Sequence, residues 1–103
     1  MLETWTQPAF AANLHTIFRV QVEPEGVVEL ELVEVSDLQR TPRQEIYSIV
    51  LRGPLDQPLG QGMYQIVHAN LEAGALFIVP IAREEDGYRY EAIFNHLVKK
   101  QNA

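Results

Sequence analysis

The residues best suited to chemistry lie in one stretch, LGQGMYQIVHAN, at positions 59–70. Gly60 and Gly62 flank a glutamine, and closely spaced glycines of this kind occur in loops that cradle phosphate groups. A phosphate loop leads into a helix and carries a Lys-Ser or Lys-Thr pair, whereas here a strand follows and the pair is missing. The glycines therefore predict a turn, in which the Gln61 amide could bind a neighbouring loop, a ligand or a partner.

The histidines are the candidates for metal binding or proton transfer: His15, His68 and His96. They show no HxH or HExxH spacing, so the sequence predicts no metal site. His68 ends a strand, where a histidine usually bonds a backbone carbonyl or a carboxylate. A structural role is the simpler explanation for it, but we keep His68, with Tyr64 on the same strand face, the nearby Asn70 and Gln61, as candidates for contact with a ligand or partner.

Nucleophilic and acid-base catalysis find little support in the other side chains. The chain has no cysteine, and neither Ser36 nor Ser48 stands in a glycine-flanked turn that would expose a nucleophile. Glu29 and Glu31 alternate along one strand, which a solvated sheet face explains, and no apolar cleft that would split their pKa values is evident. We therefore predict that the protein is not an enzyme and needs no cofactor.

Composition and charge exclude several partners. The chain has 103 residues and a net charge of −6, and its eight basic residues are scattered apart from Lys99 and Lys100. Without a basic patch, nucleic acid and anionic membrane surfaces are disfavoured. No apolar run approaches the roughly 18 residues that cross a bilayer, and the amino end has no secretory signal. We predict no membrane partner and a cytoplasmic location.

Hydrophobic and polar residues alternate along most of the chain, which is the period of half-buried strands. Five segments show this period, at residues 14–23, 27–35, 45–54, 63–68 and 88–98, and a continuous apolar run at 75–82 reads as a further strand. From Val33 onwards the apolar residues fall on the odd-numbered positions instead of the even-numbered ones, and a one-residue shift of this kind predicts a β-bulge. Residues 24–26 read as a turn and 36–44 as a polar loop. The fold class is therefore all-β, with about six antiparallel strands in a small barrel or sandwich.

The chain is predicted to be one domain, residues 1–103. Residues 1–13 differ from the rest and predict a short helical turn with Thr4 or Thr6 as its cap, while 14–98 hold the strands and 99–103 form a tail. The helical turn could plug one end of the barrel through three apolar side chains: Trp5, Phe10 and Leu14.

The fifth strand, at 75–82, is apolar on both faces, which predicts that it is central or covered. A small domain cannot easily cover both faces by itself, whereas a homodimer could. We therefore predict a self-association face at Leu76, Phe77 and Ile78. The later strands are also rich in aromatic residues, which core packing explains more simply than an exposed partner surface does.

Four short motifs resemble a family of small bacterial β-domains that is described only as a domain of unknown function. The motifs are Arg-Gly-Pro at 52–54, Gln-Gly-x-Tyr at 61–64 followed by His68, Phe-x-Val-Pro at 77–80 and Tyr-Glu-Ala-x-Phe-Asn at 90–95. Leu51, where an aromatic residue is expected, and the turn residues Asn70 and Ala73 depart from the pattern. The resemblance implies a compact antiparallel barrel or sandwich, a bacterial source, and an accessory or structural role near phage-tail-type collar proteins.

Two functional hypotheses follow. The first is a non-enzymatic interaction or structural module that associates with itself or with another protein through an aromatic or edge-strand surface. The alternative is a barrel that binds a small ligand, with its mouth formed by loops 53–62 and 69–74 and with Tyr64, His68 and Asn70 nearby. The ligand barrel predicts an enclosed cavity of several hundred Å³ on the usual scale of such sites.

Overall fold

The computed structural model describes residues 5–22 and 26–97, and it confirms an all-β fold with one short helix. Its elements in chain order are α1 (Gln7–Ala12), β1 (Ile17–Val22), β2 (Gly26–Val35), β3 (Gln39–Arg40), β4 (Gln44–Gly53), β5 (Gly62–Val67), β6 (Gly74–Glu84) and β7 (Gly87–Leu97). The predicted cap Thr4, most of the turn at 24–26 and the tail at 99–103 lie outside the described residues.

Six of the strands close into an antiparallel barrel. Their order is β2-β1-β5-β6-β7-β4, and β4 pairs back onto β2 to complete the ring. The short β3 pairs with the first residues of β4, beside the ring. The prediction of a loop over 36–44 missed β3, because two polar residues show no alternation of apolar and polar side chains. They form a strand only through the hairpin that follows, in which the Thr41 backbone N–H donates to Gln44 O.

Alternation along the strands fills the barrel with side chains. The inward residues of β4 (Tyr47, Ile49 and Leu51) are buried, as are Phe18 and Val20 of β1. A six-stranded barrel is too narrow to hold much more than its own side chains, so these residues form a packed core. The predicted bulge is confirmed, because the pairing of β2 with β4 shifts register between Leu32 and Glu34.

The helix α1 closes one end of the barrel. Thr6 is its N-cap and accepts a hydrogen bond from the Ala9 N–H at 3.2 Å. Phe10 is buried, and its ring centroid lies 5.2 Å from that of Phe94 and 6.1 Å from that of Phe18. Trp5 is also buried, but the prediction for Leu14 is wrong: it lies after the helix and is 39% exposed.

The opposite end is closed by the loop at 54–61. Leu59 of this loop is buried, and its N–H donates to the hydroxyl oxygen of buried Tyr90 at 2.9 Å. Gly53 allows the loop to leave β4 close to the core, since a Cβ there would stand 2.6 Å from Leu30 Cδ2. Both ends of the barrel are thus filled by apolar side chains from outside the strands.

Strand β6 corrects the predicted self-association face. Leu76 and Ile78 point into the barrel and are buried, whereas Phe77 points outward. Successive side chains of a strand face opposite sides, so these three residues cannot share one surface. The strand is apolar on both faces as expected, but no described element covers its outer face.

Candidate functional site

The four predicted ligand or partner residues do not form one site. Tyr64 and Gln61 stand at the start of β5 beside the loop at 54–61, whereas His68 and Asn70 follow the other end of that strand. A six-residue strand spans about 20 Å, so loops 53–62 and 69–74 lie at opposite ends of the barrel. The predicted mouth between them is therefore wrong.

Tyr64 and Gln61 have modest local roles. Tyr64 lies half-buried against the core, and its hydroxyl donates to Gly60 O at 2.8 Å. Gln61 is exposed on the surface. The Tyr64 hydroxyl therefore helps to stabilise the turn that contains Gly60.

His68 is the centre of a structural network. Its Nδ1 accepts the Asn70 backbone N–H at 2.9 Å, so the neutral ring carries its proton on Nε2, 2.7 Å from Thr16 Oγ1. The Thr16 hydroxyl donates to Asn13 O at 2.6 Å, and the Phe18 ring centroid lies 4.3 Å from that of His68. Burial lowers the pKa of His68. The neutral imidazole thus ties the turn after β5 to the connection between α1 and β1.

A belt of ion pairs crosses the outside of the barrel on one flank. Its pairs are Arg19 with Glu29, Arg52 with Glu31 and Asp86, and Arg89 with Glu84 and Asp86. Desolvation pushes the pKa of Asp86 up, but hydrogen bonds from Arg89 and Arg52 outweigh it, so that pKa lies below its ordinary value. Two grooves of about 550 and 350 Å³ run along this belt. Each arginine already has a carboxylate partner, so the belt offers no surplus cation to a ligand.

An exposed apolar surface lies across β5, β6 and β7. Met63 on β5, Phe77 on β6 and Ile93 on β7 are 65%, 47% and 66% exposed, and we call these three residues the outer apolar face. Met63 is paired with Phe77 across the strands, and Phe77 and Ile93 line the same groove. Single exposed apolar residues are normal, but a row across three strands is typical of a surface that meets a partner.

Beside the outer apolar face, β6 and β7 separate. Their ladder runs only from Glu84 with Gly87 to Val79 with Glu91. Among the described residues, 74–78 of β6 pair with β5 alone and 92–97 of β7 pair with β4 alone. We call this opening the seam. A groove of about 310 Å³ occupies it, lined by Trp5, Ala75, Leu76, Phe77, Ile93, Phe94 and His96.

Two further properties of the described chain bear on function. Within residues 5–22 and 26–97, no three histidine, aspartate or glutamate side chains cluster closely enough to hold a metal ion. In the same residues, no helix has the length and apolar character needed to span a membrane.

Comparison with known proteins identifies the family. The family model of a domain of unknown function, DUF6916, matches residues 5–94. The chain belongs to this family. No curated protein and no solved structure matches it.

The motifs that suggested this DUF6916 membership are largely structural in the fold. Tyr90 anchors the loop at 54–61, and Gly53 makes room for Leu30 and Tyr90. Phe94 belongs to the aromatic cluster around Phe10. Phe77 differs from these residues, because its large apolar side chain lies on the surface rather than in the core.

Sequence reasoning missed Met63 and Ile93 as partners of Phe77. Both residues occupy outward positions in strands whose inward residues were recognised, so the alternation contained the signal. What it lacked was the strand order, which brings β5, β6 and β7 side by side. The signal for the seam was Pro80, which has no backbone N–H and stands at the register shift beside the last β6–β7 pair, Val79 with Glu91.

Proposed function

We propose that this domain is a non-enzymatic interaction module, and that a second copy of the chain covers its outer apolar face. The observation that carries the proposal is the row formed by Met63, Phe77 and Ile93, which lies exposed while the barrel interior is filled. Most of the ion-pair belt lies on β1, β2 and β4, although Arg89 and Glu84 stand on β7 and β6. Two copies, each with a net charge of −6, can therefore meet through three side chains that carry no charge.

The packed interior favours this function over the ligand barrel. A small-ligand site needs a concave volume with a few converging polar groups. Here Phe10 fills one end of the barrel and Leu59 the other. Within this proposal, the accessory role near phage-tail-type collar proteins that the sequence resemblance implies would use the same apolar surface.

The test is the mass in solution by light scattering over a hundredfold range of concentration. Burial of the exposed half of Phe77 removes about 100 Å² from water in each copy, or roughly 5 kcal/mol for two copies. Phe77→Glu is therefore expected to weaken the dimer more than about a hundredfold. Val27→Glu is the matched control, since Val27 is 49% exposed but lies on β2 at the other flank.

Two results would contradict the proposal. A wild-type protein that stays monomeric at every concentration would show that the face has no second copy on it. A dimer that Phe77→Glu leaves intact, while Val27→Glu dissociates it, would place the interface on the flank with the ion pairs.

A further inference from the structure

The seam between β6 and β7 has the features of a peptide-binding site. Residues 92–97 of β7 are fully paired with β4, from Ile49 with Ala92 to Gln44 with Leu97. In an antiparallel ladder, every second residue turns its N–H and C=O away from its partner strand. On β7 these groups face the seam, where β6 provides no ladder partner among the described residues. They form a rigid, partly open strand edge.

Trp5 holds the seam in this state. Its ring stands edge-on to Phe94 of β7, with centroids 6.1 Å apart and planes at 87°. Its Nε1–H donates to Glu72 O at 2.9 Å, just before β6 begins. The indole therefore contacts β7 and the approach to β6 at once, and it forms one end of the groove.

The groove beside this edge suits an apolar side chain. Its walls are Phe77 and Ile93, its floor includes Leu76 and Phe94, and its volume is about 310 Å³, near the lower end of the range for small-molecule sites. Ala75 leaves the entrance wide, since it is small and exposed. The groove can therefore hold one or two side chains, but it is small for an entire folded partner.

We infer that an extended, non-acidic peptide of a partner protein binds in the seam as an added strand, antiparallel to β7, with an apolar side chain in the groove. A single added strand can be antiparallel to only one of β6 and β7, and β7 offers the longer free edge, residues 92–97 against 74–78 on β6. The charge argues against an acidic peptide: the lining residues carry no Lys or Arg, Glu91 stands at the closed end, and the chain has a net charge of −6. The inference rests on the proposed interaction function, but the peptide and the second copy would compete for Phe77 and Ile93.

The experiment selects binders from a phage-displayed library of random 12-residue peptides and measures the best synthetic peptide by isothermal titration calorimetry. Enriched sequences are expected to share an apolar residue within a β-forming run, with few acidic residues. Ala75→Trp fills the groove from an exposed strand position and is expected to weaken binding at least tenfold. Ala75→Ser, the matched control, and Val27→Glu, exposed on β2 outside both the groove and the outer apolar face, are expected to stay within twofold of the wild type.

Amide hydrogen exchange supplies the readout of strand addition. The peptide is expected to protect alternate amides within 92–97 that exchange fast in the free protein. The inference is overturned if no peptide is enriched, if those amides are already protected in the free protein, or if Ala75→Trp binds as the wild type does. Loss of binding in Val27→Glu alone would overturn it too, and would place the binding surface on β2. A monomeric protein that binds peptide in the seam would overturn the second-copy proposal instead.

Discussion

The hydroxyl of Tyr90 anchors the loop that closes one end of the barrel, and its removal should be costly. Tyr90 is 1% exposed, and its oxygen accepts the Leu59 N–H at 2.9 Å. Tyr90→Phe keeps the ring in place but leaves that buried N–H without an acceptor. A buried donor without a partner costs about 1–3 kcal/mol, so we expect the free energy of unfolding to fall by about 2 kcal/mol. For a domain of this size, Tm should fall by roughly 8–15 °C.

The measurement is thermal and urea unfolding followed by circular dichroism. Tyr64→Phe is the matched control, because the Tyr64 hydroxyl also bonds a backbone group, Gly60 O at 2.8 Å, but does so at the surface. Water replaces that bond, so we expect a loss below about 0.5 kcal/mol. Equal effects of the two substitutions would refute the reasoning, because they would show that burial of the Leu59 N–H has no energetic consequence.

Three more predictions concern titration and backbone strain. Burial lowers the pKa of His68, so as pH falls the imidazole takes up a proton in the unfolded chain before it does so in the folded one. The free energy of unfolding should therefore be full above pH about 6.5 and decline below it. Urea unfolding between pH 7.5 and 5 measures this decline, and His68→Gln should flatten it. Burial, and to a smaller extent the charge of Glu45, raises the pKa of Tyr47 to about 12. The neutral Tyr47 hydroxyl should therefore contribute fully to the free energy of unfolding below pH 10, and that contribution should be lost as pH rises towards 12. An ultraviolet titration should show one tyrosine that ionises near pH 12. Gly87 has φ +148° and a Cβ there would stand 2.4 Å from Gly53 O; Gly87→Ala should therefore cost more than about 1 kcal/mol in urea unfolding, whereas an unchanged midpoint would contradict the strain.

The strands and the bulge could be predicted because each depends on residues close in sequence. Alternation located the inward side chains of β1, β2 and β4, and the parity shift located the bulge between Leu32 and Glu34. The cap at Thr6 and the burial of Phe10 followed from local sequence in the same way. Local pattern therefore predicts elements and faces well in an antiparallel barrel.

The site could not be predicted because it depends on which strands become neighbours. The outer apolar face needs β5, β6 and β7 in that order, and the seam needs the β6–β7 ladder to stop at Val79 and Glu91. The supposed ligand mouth failed for the same reason, since β5 separates its two loops. Leu14 was misplaced because the helix ends before it, at Ala12.

The two ends of the described chain meet at the seam. Trp5 and His96 line the same groove, so an affinity tag fused to either end of the chain is tethered near it. Such a tag would compete for the groove as an intramolecular ligand, because a short flexible link gives effective concentrations in the millimolar range. Affinity tags fused at either end would therefore mask weak peptide binding, whereas a tag inserted at Asp56, in the exposed part of the loop at the far end of the barrel, would leave the groove open.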